Sequence, residues 1–450
     1  MKIIVCAKVC DGEINLFDKC AVECALRMSD DVTVVSMGPN SAAAPIRELT
    51  RLGVKAVLLC DKAFAGSDTL ATAYILSLAV QKIGYDLIIC GRQTTDGDTA
   101  QVGPCLASTL KTDVITNVLE ILSVNESISC RTRMGNETAA LPAVITTERI
   151  NTLRFPKMRS KESDIEIWDS AVLNADLSRC GLDGSPTRVL KVFENTRGMR
   201  RCRFIKREEL MPLIERLKNE KKAEREEKDS PVKMKNVWIV GNEVRKAAER
   251  ISESVTLIDE DDPKKIAERA KLEKPEAILW NADLKGRRNA PIAAAILRTG
   301  LCADCVNLET DGKTLFMYRP AKSGNITAKI KCVTYPQMAT VRTAQKSSDI
   351  IVSGGRGIIN SLDRLKSFAR EINAEVCASR GLVDSGAMPL EAQVGLTGKS
   401  VSPLIYIAAG ISGAVHHTCA IENAGTVIAI NPDKNARIFE YADYGIIDEF

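Results

Sequence analysis

Residues 350–357 read IIVSGGRG, a β-branched run that stops abruptly in Ser353, Gly354, Gly355, Arg356 and Gly357. The same grammar repeats downstream, in ASRGLVDSG (378–386), QVGLTGKSVSP (393–403), YIAAGISGAVHHT (406–418), VIAIN (427–431) and ADYG (442–445). Short apolar runs alternate with turns built from Gly, Ser, Thr and Arg. That alternation predicts a parallel sheet whose strand ends hold a phosphate-bearing ligand. Glycine lets the backbone come close to an anion, main-chain N–H groups at a helix start point toward it, and Arg356 adds charge. Both histidines of the chain, His416 and His417, stand side by side in this stretch. A His pair can also bind metal. With no third histidine and no carboxylate at a fixed helical spacing, metal ligation is not expected.

Strand and helix patterns also alternate upstream. IIVCAKV (3–9), VTVVSMGP (32–39), VKAVLLCD (54–61) and YDLIICG (85–91) read as buried strands. Between them, helical spacing predicts helices over 18–29, 41–53 and 68–84. This is βαβ order at βαβ lengths, hence a parallel, doubly wound sheet. Residues 116–170 alternate with period two and predict an antiparallel excursion that ends in LPAVITT (141–147). Residues 206–230 are dominated by charge and predict a solvated helix or linker. A second alternation then starts at VWIVGN (237–242), and an internal repeat emerges. Leu87–Arg92 with its following helix matches Ala277–Trp280 with its own, and LPAVITTER (141–149) matches PQMATVRTA (336–344). The expected fold class is therefore α/β, with two related doubly wound parallel-sheet domains and an unrepeated C-terminal α/β domain. The expected boundaries are 1–205, a linker at 206–235, 236–346 and 347–450.

A chain of 450 residues exceeds one ordinary core. Its 62 basic and 58 acidic residues nearly balance, which excludes nucleic acid or an anionic membrane as the main partner. Aromatics at 4% leave no base-stacking platform. No apolar run reaches the roughly 18–20 residues of a membrane span, and the N-terminus enters a strand pattern with no signal peptide. Fifteen scattered cysteines read as reduced thiols of a cytoplasmic protein. Cys302 with Cys305, and Cys6, Cys10, Cys20 and Cys24, are expected to be buried small hydrophobes rather than metal ligands.

The motifs also carry a resemblance. SGGRG, ASR-x-x-VD-x-G, QVG-x-TGK, GISGA-x-x-H and ADYG, in this order, resemble the alpha subunit of electron transfer flavoproteins over 236–450. CGRQ-x-x-DGDTAQVGP and GSPT (184–187) resemble the beta subunit over 1–200. The chain thus looks like a beta–alpha fusion in one polypeptide. The resemblance implies a C-terminal domain that binds FAD and a carrier that exchanges electrons with flavin dehydrogenases, acyl-CoA dehydrogenases among them, in reactions such as fatty acid β-oxidation. It also implies a cytoplasmic, monomeric equivalent of the family's heterodimer.

Carried over residue by residue, the resemblance implies FAD contacts from Arg356, Ser379, Arg380, Gln393, Val394, Gly395, Leu396 and Thr397. It adds Ser412, Gly413, Ala414, Val415, His416, His417, Asn431 and Asp448. Arg380, a permanent cation, would stabilise an anionic reduced ring and raise its potential. Without the resemblance it reads as a surface ion pair with Asp384 one turn away. Thr397 would bring a hydroxyl near flavin N5, beside Leu396 where the family has Gln. His417 would donate to the flavin pyrimidine oxygen, His416 stands where the family often has Gln, and Lys399 reads as a solvated turn residue.

A second nucleotide site is implied in the first domain, at Ala7, Asn15, Asp18, Met37, Gly91, Arg92, Asp96, Gly97, Asp98, Thr99, Ala100, Gln101 and Val102. Ordinary members bind AMP there. The loop here looks like that of electron-bifurcating members, where a second FAD takes its place: Gly97 and Ala100 are smaller than the family's residues and leave room for it. One departure opposes this. The family has about twenty further residues between the first strand and the segment at Asn15, which Val9–Ile14 replaces here.

Three functions stay open. One is a two-FAD carrier that oxidises NADH and splits electron pairs between an acyl-CoA dehydrogenase and ferredoxin or flavodoxin. The second is a single-FAD carrier with AMP. The third is a redox-inactive nucleotide-binding regulator, which predicts loss of Arg380, Thr397 and His417; all three are present.

Overall fold

A computed structural model describes residues 1–194, 200–219, 229–321, 326–343, 348–395 and 398–450. The chain divides into two compact units. One comprises Met1–Val192, Asp229–Lys322 and Ala328–Arg342; the other comprises Phe193–Lys228, Ser323–Thr327 and Thr343–Phe450.

The first unit is one topology built twice. Strands Lys55–Leu59, Val32–Met37, Ile3–Cys6, Leu87–Gly91, Ala143–Thr147 and Asp113–Val124 lie side by side in that order, parallel throughout. In the second copy the order is Ser252–Leu257, Met234–Val240, Ala277–Asn281, Gln337–Val341 and Leu301–Cys305, again parallel. This is the same order with the outermost strand missing. Register agrees as well, since Ala143 faces Leu87 as Gln337 faces Ala277. Helices Val102–Leu110 and Leu284–Leu297 occupy equivalent places, and both end in a left-handed residue, Lys111 (φ 58°) and Arg298 (φ 53°). They pack on each other: Cys105 Sγ donates to the Pro291 carbonyl at 3.5 Å and Ser108 Oγ to that of Ile292 at 3.2 Å.

Both copies belong to a single compact unit. Helix Leu284–Leu297 turns Ala290, Ala293 and Ala294 inward, and an apolar face of this kind needs a neighbour. The antiparallel excursion is a meander of Asp113–Val124, Ser127–Thr132 and Gly135–Ala140 at one sheet edge. In the second copy Asn307–Thr310, Leu315–Ala321 and Ile326–Cys332 join Thr187–Glu194 in a separate sheet.

The second unit holds one six-stranded parallel sheet. Its order is Arg203–Phe204, Tyr444–Ile446, Thr426–Ile430, Ile405–Ala409, Ile350–Gly354 and Glu375–Ala378. The structure corrects the reading of 206–230 as a solvated segment. Residues Leu210–Asn219 form a helix whose Leu210, Leu213, Ile214 and Leu217 are buried with Ile350, Val352, Leu365 and Phe450. Four apolar residues at spacings of three and four make one buried stripe, whatever the charge on the other face. Residues 220–228 lie outside the described residues.

All fifteen cysteines are free thiols, and Cys6, Cys20, Cys24, Cys302 and Cys305 are buried. Among the described residues no helix is long and apolar enough to cross a membrane, and no group of three or more His, Cys, Asp or Glu could hold a metal ion.

Truncating Ile214, which is fully buried, should cost about 2–5 kcal/mol. In urea titrations Ile214→Ala is expected to lower the midpoint of the transition that reports the C-terminal sheet. An unchanged midpoint would place the 210–219 helix outside that core.

Candidate functional site

The first unit contains a cavity of about 340 Å³ at the C-terminal ends of strands Ile3–Cys6 and Leu87–Gly91. The two strand ends are tied by Asp18. Its carboxyl accepts the N–H of Lys8 at 2.8 Å and that of Gly91 at 3.1 Å. A Cβ at Gly91 would lie 2.2 Å from Asp18 Oδ1, so only glycine fits there. Burial pushes the Asp18 carboxyl up to about 7, against the opposing pull of the Lys8 N–H and its other donors.

Of the thirteen residues expected at this site, Ala7, Asp18, Met37, Gly91, Arg92, Gly97, Thr99, Ala100, Gln101 and Val102 line the cavity. The other three brace it from behind. Asn15 Nδ2 donates to the Gln93 carbonyl at 2.9 Å, Gln93 Nε2 donates to Asp98 Oδ1 at 3.2 Å, and Asp96 forms a 2.6 Å ion pair with Lys8. Asp98 and Ala100 take the left-handed conformation, φ 51° and 55°, which folds the loop sharply over the opening.

Sequence reasoning missed the far wall, which comes from the second copy. Arg319 Nη1 donates to the Gly97 carbonyl at 2.7 Å and its Nε to that of Ala303 at 3.0 Å. Gln101 accepts from Thr69 Oγ1 at 2.7 Å and donates to the Leu301 carbonyl at 3.3 Å. The repeat was the available signal, but it did not say which strand would face the loop. Two buried ion clusters stand nearby: Glu148 binds Arg92 at 3.0 Å and Arg133 at 2.8 Å, and Asp304 binds Arg287 at 3.0 Å and Arg342 at 3.3 Å. Burial alone would raise the Asp304 pKa; Arg287, Arg342 and Arg319 outweigh it and hold the carboxyl below its usual range.

In the second unit, the loops after four parallel strands meet at one edge. A Cβ at Gly355 would fall 2.1 Å from the Gly410 carbonyl oxygen, and one at Gly381 would meet Arg356 Cγ at 2.9 Å. Arg356 thus lies across the backbone that follows Arg380. Val394 N–H donates to the Ala378 carbonyl at 2.9 Å, and a Cβ at Gly395 would reach the His416 carbonyl at 2.9 Å. Arg356, Ser379, Arg380, Gln393, Val394, Gly395 and the 412–417 segment are therefore neighbours. Arg380 forms the ion pair with Asp384, at 3.2 Å. Partial desolvation of its ring, then the Arg380 charge, lowers the His416 pKa.

Several expectations change here. His417 is buried, and both of its ring nitrogens are engaged inside the protein: Nδ1 with the Val394 carbonyl at 3.1 Å and Nε2 with the Tyr406 hydroxyl at 2.8 Å. A carbonyl can only accept, so Nδ1 carries the proton, and Nε2 is then an acceptor. Asn431 Nδ2 donates to the Ile411 carbonyl at 2.9 Å and its Oδ1 accepts from Asp433, so this side chain braces two loops. Asp448 is held by Arg207 at 3.4 Å instead of joining the arginine group. Lys399 is not a solvated turn residue but is partly buried in an ion pair with Glu375. Leu396 and Thr397 lie outside the described residues.

Glycine turns at parallel strand ends with two guanidinium groups beside them define a nucleotide-binding α/β protein. The donor set suits an anionic ligand, and the Asp384 carboxylate beside it is already paired with Arg380. Comparison with known proteins makes this specific. Residues 3–173 and 259–351 match the electron transfer flavoprotein domain, and residues 345–422 match the electron transfer flavoprotein FAD-binding domain. The chain belongs to the electron transfer flavoprotein family, and its C-terminal region is an FAD-binding domain. It is 39% identical over 233 residues to the electron transfer flavoprotein subunit alpha of Thermoanaerobacterium thermosaccharolyticum, covering 41% of this chain and 71% of that protein. It is 38% identical over 203 residues to the subunit beta of Megasphaera elsdenii, covering 40% and 74%. Protein FixA of Azotobacter vinelandii is 41% identical over 202 residues, covering 40% and 72%.

The buried Asp18 generates a pH prediction. Folding tightens its hold on the proton, so this group favours the folded state at acid pH. The contribution fades as pH rises from the ordinary 3.8 to about 7. Asp18→Asn should flatten that part of the stability profile. An identical pH dependence of the unfolding midpoint in the variant would contradict the assignment.

Proposed function

We propose that this chain is an electron carrier in which one polypeptide does the work of both family subunits, with FAD in the C-terminal domain and a second FAD in the 340 Å³ cavity of the first unit. When bound, the flavins supply one- and two-electron exchange. The convergence of Arg356, Arg380 and His416 beside the glycine turns carries the reading for the first cofactor. Arg380 contributes a fixed positive charge at that edge, which favours electron-rich states of any ring placed there. Electrons would come from NADH and divide between a flavin dehydrogenase of the acyl-CoA type and ferredoxin or flavodoxin. Support for the second flavin comes from the cavity itself, which reaches from Cys6 and Gly91 to Leu301 and Arg319 of the second copy. Gly97 and Ala100 bring little bulk to it.

A second reading keeps AMP in the cavity and one FAD. It is favoured by the short connection after the first strand, where Val9–Cys10 pairs with Glu13–Ile14 around Asp11 and Gly12. Both turn residues have positive φ, 51° and 83°, as a tight type I′ turn requires. NADH separates the two readings. Bleaching of flavin absorbance by NADH alone is expected of the two-FAD carrier, and its absence would favour the AMP form.

The partner surface also has a candidate. Phe155 and Met158 are 94% and 100% exposed, next to Arg154, Lys157 and Arg159. Large apolar side chains left in water on a basic segment suit docking to an acidic, apolar-centred face of the dehydrogenase. Phe155→Ala with Met158→Ala should slow electron transfer with an acyl-CoA dehydrogenase roughly tenfold while leaving flavin content unchanged. Equal rates would remove this segment from the interface.

Arg380→Ala should lower the potential of the C-terminal flavin by an amount on the order of tens of millivolts. A spectroelectrochemical titration identical to that of the unmodified chain would refute the role.

A further inference from the structure

Tyr406 is fully buried in strand Ile405–Ala409, with its hydroxyl 2.8 Å from His417 Nε2. The other ring nitrogen faces the Val394 carbonyl at 3.1 Å. The directions of these bonds follow from chemistry alone. The carbonyl must accept, so Nδ1–H donates; Nε2 of the neutral ring then accepts, and the tyrosine hydroxyl donates.

We propose that Tyr406 is a positioning residue of the flavin site, which holds His417 as the neutral Nδ1–H tautomer and so makes it a strut under the Gln393–Gly395 turn. The strut links three segments. Val394 accepts from His417 through its carbonyl, while its N–H donates to the Ala378 carbonyl, at the end of strand Glu375–Ala378. Gly395 N–H donates to the Lys399 carbonyl at 3.2 Å and closes the turn. A ring with the other tautomer would point a lone pair at the Val394 carbonyl and an N–H at the tyrosine oxygen, losing the bond that supports the turn.

Burial lowers the His417 pKa to about 4, against the Val394 hydrogen bond that raises it, which agrees with a neutral ring. One consequence concerns charge. His417 brings no positive charge to the site, so the fixed cations at this edge are the guanidinium groups of Arg356 and Arg380. That consequence for the cofactor rests on the function proposed above; the ring chemistry does not.

The chain has only two histidines, so isotope-labelled histidine in the full chain gives two ring systems, and His416→Gln tells them apart. At neutral pH, nitrogen NMR is expected to find His417 protonated at Nδ1 and bare at Nε2. Tyr406→Phe removes the hydroxyl alone and is expected to raise the Nε2–H fraction about threefold to tenfold, the worth of one hydrogen bond. An Nε2–H ring or an imidazolium in the unmodified chain would overturn the proposal, as would an unchanged tautomer ratio in the variant. The unmodified chain decides the question even where the variant fails to fold. Absence of FAD from the purified chain would count against the function proposed above, while the tautomer measurement would stand.

Discussion

Close approach of backbone to backbone at strand ends is the constraint on which both sites depend. A single Cβ at Gly355 would collide with the Gly410 carbonyl oxygen at 2.1 Å, and the loops after Ile350–Gly354 and Ile405–Ala409 would have to separate. Gly410 itself has φ 60° and lies against Ile358, so neither partner of this contact tolerates a side chain. The first unit uses the same device with a different partner. Gly91 leaves room for the Asp18 carboxyl, which then receives two main-chain N–H groups from adjacent strand ends. Parallel strands place their C-terminal ends at one edge, and glycine lets those ends draw close enough to share a ligand.

The polar groups that complete each site are held largely by one another. In the first unit Lys8 pairs with Asp96 and Gln93 with Asp98 behind the loop, and Arg319 closes the far side. In the second unit Tyr406, His417 and Val394 do the equivalent work below the surface, while Arg356 and Arg380 remain at it. Buried hydrogen bonds of this kind set the direction of loops that carry little apolar area of their own.

Much of this was readable in the sequence because the signals were local. The βαβ alternation, the repeat and the glycine turns are each contained in a few residues, and ten of thirteen residues expected at the first cavity line it. What escaped depends on distant partners. Nothing around Arg319 announces that it will reach Gly97, more than two hundred residues earlier. The buried face of helix Leu210–Asn219 hid within a charged run because charge dominates composition, although four apolar residues at helical spacing decide burial. The motif picked out the His417 ring, but Tyr406 and Val394, distant in sequence, determine which of its nitrogens holds the proton.

We propose that one chain carries two nucleotide sites, with a flavin in each. Denaturing the purified full chain and quantifying released FAD and AMP per polypeptide tests it directly. Two FAD and no AMP per chain are expected; one FAD with one AMP, or a single FAD alone, would contradict the two-flavin carrier.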